Sequence, residues 1–291
     1  MTLSVVIITH NEEANLGRTL ESVWPLVRDG KGEVIIVDSG STDRTVEIAK
    51  SFGAKIFIEE WKGYAAQKNC AIGRATGDWI LSLDADEEVD QKLLEEVSWL
   101  LGAIPDWEKN GFPVDDDSRS RELRDRGTRY GLDEEDLNGF LVPRRNFFLG
   151  RWMKYGGFWP DSKLRFFRSG KGRFQDRAVH ETVQTEGVTS AMRRGALLHH
   201  SYPTLSDYIE HMNRYSSLGA EMVAAKGNDK VNVRFSVVNI VLRPLATFVY
   251  NYFFRLGFLD GREGLLLHLY HAVYVSWKYA KAWELSRKQP R

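Results

Sequence analysis

The chain has 291 residues, 43% hydrophobic and 27% charged, which is enough to bury a large core and too apolar for a disordered chain. Forty basic residues balance forty acidic ones, so overall charge offers no footprint for nucleic acid. Cys70 is the only cysteine, which excludes a disulfide framework and a cysteine-ligated zinc site and suits a reducing cytosol.

The opening "MTLSVVIITHNEE" lacks the basic segment and cleavage site of a signal peptide and reads as a first strand. Its β-branched run does not alternate with polar residues, as expected of a strand buried on both faces. A helix follows from about Asn15, with Leu16, Leu20 and Val23 on one face. "EVIIVDSGSTD" repeats the scheme, giving a buried strand, a Gly/Ser turn and a helix from Thr42 to about Phe52. "AKIFIEE" is a third strand, "YAAQKNCAIGRA" a helix ending near Gly73, and "DWILSLDAD" a fourth strand. This rhythm predicts an α/β fold with a parallel, doubly wound sheet and a ligand site at the carboxyl ends of its strands.

From Asp106 to Asp136 the character changes, with eleven acidic and six basic residues and little hydrophobicity. The segment reads as a mobile acidic insertion, either a plain surface loop or a conditionally ordered lid. Antiparallel strands rich in aromatics are expected in "GFLVPRRNFFLGRWM" and "SKLRFFRSGKGRF", and helix from Leu205 onward. Val231 to Arg291 carries nine Lys/Arg against three Asp/Glu. Two aromatic-rich apolar runs lie there, between Arg243 and Arg255 and between Glu263 and Lys278. Each is shorter than the roughly 18 to 20 residues that span a bilayer. Such helices suit a membrane surface, the alternatives being core helices or a dimer interface.

Chemistry is most legible at the strand ends. Asp38 closes the second strand, and Asp84 and Asp86 close the fourth, on the same rim of a parallel sheet. Buried carboxylates need a partner, and Asp84-Ala85-Asp86 lets two of them approach one cation or a ribose. Hard oxygen ligands favour Mg²⁺ or Mn²⁺, which complete their shell with phosphate oxygens and water. "THNEE", "DSGSTD" and "GYAAQKN" converge on the same rim and bring Lys68 to a phosphate path. The P-loop and dinucleotide fingerprints are both missing, so a nucleotide-sugar fits these parts better than ATP or NAD. Glu87 and Glu88, just beyond, read as solvated or supporting residues.

The motifs "VVIITHNEEANL", "VIIVDSGSTDRT", "GYAAQKNCAI" and "GDWILSLDADE", in this order, resemble family 2 inverting glycosyltransferases of the GT-A fold over about residues 3 to 100. "GGFWPDSKLRFFR", "AVHETV", "LHHSY" and the C-terminal stretch resemble a bacterial branch that includes lipopolysaccharide-core β-1,4-glucosyltransferases. The acidic insertion near Asp115 is longer than the link that branch carries. The resemblance implies a GT-A domain over 1–204 and a helical, membrane-surface region over 205–291. It implies transfer of a hexose, glucose foremost, from a UDP-sugar to a lipid-linked or lipopolysaccharide-core acceptor. Attachment would be peripheral, at the inner face of the cytoplasmic membrane. Other envelope-polysaccharide transfer, nucleotidyl transfer and a non-catalytic membrane scaffold are the alternatives.

Residue by residue, the resemblance places Thr9, Asn11 and Glu12 at the uridine and Asp38 at the uracil or ribose edge. Lys68 and Asn69 would face the sugar diphosphate. Asp84 would sit near ribose and metal, and Asp86 would ligate Mg²⁺ or Mn²⁺, with His200 as a further ligand. The general base is expected at Glu181, with Asp176 as the alternative. From their side chains alone, Trp152, Trp159 and Arg165 suit either an acceptor pocket, since aromatic faces stack on sugar rings, or aromatic core packing.

Overall fold

The computed structural model describes residues 1–102, 137–175, 182–225 and 237–288. The charged segment 106–136 and both candidate bases, Asp176 and Glu181, lie outside the described residues. The described chain divides into two units. One comprises residues 1–102, 137–143, 162–175 and 182–197, and the other 144–161, 198–225 and 237–288. The division differs from a single cut after residue 204, because 144–161 belongs with the helical unit.

The first unit contains β1 (Leu3–Thr9), α1 (Leu16–Val27), β2 (Gly32–Asp38), α2 (Thr45–Ser51), β3 (Lys55–Ile58), α3 (Tyr64–Ile72) and β4 (Trp79–Asp84). The short β5 (Glu87–Val89) and α4 (Gln91–Leu100) follow. α2 begins at Thr45, later than the sequence pattern suggests, because the preceding turn is otherwise engaged. The Asp43 carboxylate accepts the Thr45 N–H at 2.9 Å, and the Thr42 N–H donates to Asn11 at 2.8 Å.

β1 pairs in parallel with β2 and β4, and β2 in parallel with β3. Alternate side chains of these strands enter different cores. Val5, Ile7, Ile36 and Leu81 meet Leu16, Leu20 and Val23 of α1, while Val6, Ile35, Val37 and Ile80 pack with Ala71 of α3. Both faces are covered, which is why the strands read as unbroken apolar runs. The expected doubly wound α/β sheet is present.

Beyond β4 the sheet continues through β6 (Leu137–Val142), β9 (Lys163–Arg168) and β12 (Val188–Ala191), in the order β12-β6-β9-β4-β1-β2-β3. β9 runs antiparallel to both β4 and β6. β10 (Gly172–Phe174) and β11 (Val183–Thr185) form an antiparallel pair. The chain steps outward from β1 to β3 and then returns to place β4 on the other side of β1. That reversal is a topological switch, and open α/β sheets bind ligands in the crevice at the carboxyl ends of such strands. Thr9 and Asp84 close the two strands that flank it.

The second unit contains β7 (Arg144–Phe148), β8 (Arg151–Trp152) and β13 (Leu197–Tyr202), with β7 central. Its helices are α5 (Leu205–Ala225), α6 (Val237–Phe254) and α7 (Gly261–Lys288), with a 3₁₀ turn over Gly257–Asp260. Phe148, Met153, Tyr208 and Leu267 form its core. Lys281 of α7 donates to the Asn213 carbonyl and the Ser216 hydroxyl of α5 at 2.8 and 2.7 Å. One sequence expectation is corrected here. α6 starts six residues before Arg243, with wide π winding at both ends, so its 18 residues are long and apolar enough to cross a bilayer.

Candidate active site

The floor of the crevice is set by the ends of β1 and β2. Asp38 is fully buried, and its carboxylate accepts from the Gly40 and Ser41 N–H groups at 2.9 and 2.8 Å. It also accepts from the hydroxyls of Thr9 and Ser41 at 2.7 and 2.5 Å. Four hydrogen bonds balance the burial of this charge. Asp38 therefore holds the Gly/Ser turn in shape, instead of presenting a free edge to a base or ribose.

Asn11 adopts the left-handed conformation, with φ 56°, and is cross-tied to the same turn. Its N–H donates to Ser41 Oγ at 2.8 Å and its side-chain carbonyl accepts from Thr42. Glu12 follows, half-buried, with its N–H donating to Thr45 Oγ1 at 2.7 Å. Burial raises the Glu12 carboxyl above its ordinary range. The Asn15 amide opposes this, and the charges of Asp86, Asp43 and Asp84 push it further up. Negative potential is thus concentrated where β1 and β4 end.

Asp84 is braced from two sides. Its Oδ1 meets Lys68 Nζ at 2.7 Å and its Oδ2 meets Arg165 Nη2 at 2.5 Å. The same Arg165 nitrogen reaches Glu87 Oε1 at 3.1 Å, and Glu87 Oε2 accepts the Asp84 N–H at 3.0 Å. Arg165 and Glu87 are buried, as is Lys68, whose ammonium also sits 5.1 Å from the Phe174 ring centroid. Burial works against the Arg165 charge, yet the two carboxylates outweigh it and hold the guanidinium protonated above its ordinary value. On the other side of the turn, the buried Thr19 hydroxyl donates to the Ala85 carbonyl at 2.7 Å. The Asp84-Ala85-Asp86 turn is thereby fixed by α1, α3 and β9 together.

Several sequence expectations change in this light. Glu87 is not solvated: it is a fully buried counter-ion. Arg165, expected at an acceptor pocket, turns its Nη2 to Asp84 and Glu87. Lys68 reaches the rim, but its ammonium is held by Asp84. Asn69 serves as a clip, since its amide exchanges two 2.9 Å hydrogen bonds with the Phe174 backbone of β10. The signal for Arg165 lay in "KLRFFR", where a cation sits within a run of aromatics. A charge in such a place needs an acidic partner.

The remaining expected residues belong to the second unit. His200 stacks on Phe147 at 4.7 Å. Trp152 and Trp159 meet edge to face at 5.3 Å. Arg145 lies over both rings at 4.9 and 5.8 Å, and Lys154 over Trp152 at 4.5 Å, two cations that sequence reading missed.

Mg²⁺ and Mn²⁺ suit this donor set in one respect. Both oxygens of Asp84 meet cations, and the carboxylates of Asp86 and the partly buried Glu12 are hard oxygen donors close by. Among the described residues no three of His, Cys, Asp and Glu form a cation cage. A site of this kind is completed by phosphate oxygens and water, the usual arrangement for Mg²⁺.

The ends of β1 and β4 thus place a charge-braced acidic turn at the switch point of an open α/β sheet. Residues 4–103 match the model of Glycosyl transferase family 2. The lipopolysaccharide core biosynthesis glycosyltransferase LpsC of Rhizobium meliloti is 29% identical over 98% of this chain and 93% of its own length. The uncharacterized glycosyltransferase RT0209 of Rickettsia typhi is 44% identical over 35% of this chain, a match spanning 33% of that protein. Glucosyl-3-phosphoglycerate synthase of Mycobacterium tuberculosis, solved with Mn²⁺, UDP and glucosyl-3-phosphoglycerate, is 30% identical over 35% of this chain and 38% of that one, with a TM-score of 0.30.

Proposed function

We propose that this glycosyltransferase moves a hexose, glucose foremost, from a UDP-sugar to a lipid-linked or lipopolysaccharide-core acceptor with inversion at the anomeric carbon. The observation that carries the reading is the braced acidic turn, in which Asp84 meets Lys68 and Arg165, within the segment that matches the family 2 model. The lipopolysaccharide-core name of the full-length Rhizobium relative supports the acceptor class.

In this reading Thr9, Asp38 and Asn11 hold the turn that receives the uridine, with Glu12 beside it. Lys68 and Arg165 fix Asp84 toward the ribose, and Asp86 would hold Mg²⁺ or Mn²⁺. When bound, the divalent ion supplies Lewis-acid stabilisation of charge on the departing diphosphate. The acceptor hydroxyl oxygen forms a bond to the anomeric carbon as that carbon's bond to the phosphate oxygen breaks. The bonding pair leaves with UDP, and the hydroxyl proton passes to a carboxylate, Glu181 or alternatively Asp176. Trp152 and Trp159 offer aromatic faces to acceptor sugars. The enzyme works at the inner face of the cytoplasmic membrane, where a lipid-linked acceptor is available.

A screen of UDP-sugars for UDP release, with lipopolysaccharide-core acceptors and with or without EDTA, tests the proposal. Release that needs UDP-glucose, acceptor and divalent metal is the expected result. No release from any UDP-sugar would sink it.

A further inference from the structure

We infer that α6 and the turn after it form a lipid-docking surface that lies in the plane of an anionic bilayer without crossing it. The inference rests on the membrane part of the reading above and names the element, its orientation and the lipid charge it needs. Only 6% of α6 is buried, although the helix is apolar along most of its length. Val241, Leu245, Tyr250, Phe253 and Phe254 are exposed, Phe254 to 76%. The surface continues through Leu256, Phe258 and Leu259 in the turn, all exposed as well. A contiguous apolar surface of this extent on a water-soluble face marks a docking site.

Charge selects the occupant. Between Val237 and Asp260, the span of α6 and the turn, the Asp, Glu, Lys and Arg residues are Arg243, Arg255 and Asp260. Asp260 is buried and accepts the Lys154 and Tyr155 N–H groups at 3.2 and 2.9 Å. The exposed charge of this surface is therefore entirely positive. Arg243 lies over Tyr279 and Arg255 over Tyr250, at 5.1 and 5.9 Å, so both arginines flank apolar rings. That arrangement matches acyl chains beneath anionic headgroups. A two-fold contact with a second copy would set the same arginines against one another.

Orientation follows from α7. The Ser276 hydroxyl of α7 donates to the Ile240 carbonyl at 2.8 Å, and with Arg243 over Tyr279 it ties the first half of α6 alongside α7. α7 carries Lys278, Lys281 and Glu284 near that level. Standing α6 upright would draw those charges into hydrocarbon, at a cost of several kcal/mol. Lying flat, α6 buries its outer face and leaves α7 in water.

The test is flotation of the full chain with vesicles of phosphatidylcholine alone or mixed with phosphatidylglycerol, without glycolipid acceptor. Binding to the mixed vesicles, weakened by salt and released by alkaline carbonate, is expected. The double variant Leu245→Glu/Phe254→Glu should bind at least about tenfold more weakly while its thermal melt is unchanged. Unchanged binding by that variant would overturn the inference. Retention after carbonate would overturn the in-plane orientation, and a vesicle-free dimer that the variant splits would make the partner a second copy. UDP release from a detergent-solubilised acceptor reads transfer separately, so loss of vesicle binding with intact release condemns this inference alone.

Discussion

In the sheet unit Arg165, Glu87 and Lys68 are buried, and each meets an opposite charge within 3.1 Å. In the helical unit the arrangement is reversed: α6 turns its apolar side chains outward, while His268 is buried with neither ring nitrogen hydrogen-bonded among the described residues. The first unit resolves its unfavourable groups internally, by pairing strands β4 and β9 that lie far apart in sequence. The second leaves an apolar face that no other described residue covers. Internal compensation gives a rigid site, and external compensation gives a docking surface.

The largest effects should separate chemistry from fold within the first unit. Asp86→Asn and Glu181→Gln should each lower the transfer rate by roughly two to four orders of magnitude, with unfolding midpoints unchanged. Near-normal turnover in Glu181→Gln would move the base to Asp176, which the matching Asn variant would reveal. Arg165→Met probes the bracing instead. It strands Glu87 and half of Asp84, and denaturant unfolding should register a loss of about 3–5 kcal/mol. A loss below about 1 kcal/mol would mean that the network is solvated and the contrast between the units is false.

The contrast also predicts pH behaviour. Burial, helped by the neighbouring charges of His271 and Arg255 and opposed by Asp260, lowers the His268 imidazole to about 4. Its ring is wedged against Gly156 and Gly257, where a Cβ on either glycine would clash. Because the folded value lies below the unfolded 6.5, the unfolded chain binds the extra proton between these values. Stability is then fully present above pH 6.5 and falls as pH drops toward 4. Thermal melts across that window should lose this slope in His268→Phe, and an unchanged slope would assign it to other groups.

The smallest effect belongs to Glu33 in the first unit. Burial acts to raise its carboxyl, but hydrogen bonds from Lys55, Ser4 and Thr76 prevail and hold it at about 2. Its contribution is present above pH 4.5 and lost as pH falls toward 2. Lys55 is exposed, so Glu33→Gln should cost below about 1 kcal/mol at neutral pH. A larger loss would show that the hydrogen bonds to Ser4 and Thr76, not the ion pair, carry the stabilisation.

What the sequence determined by itself was the sheet and its rim. Unbroken apolar strands must be covered on both faces, and "VDSGSTD" and "LDADE" put their acids at the ends of β2 and β4 whatever the distant packing. The apolar C-terminal runs were equally legible, though the pattern stopped at Arg243 and so understated α6. Only the tertiary structure decided what each charge does. Arg165 and Asp84 lie 81 residues apart in sequence, and no local spacing links them. Glu87 likewise looks like one more acid in a polar turn until β9 brings a buried guanidinium against it. A charge is placed by the dielectric and the counter-ions around it, and these exist only once the strands have paired.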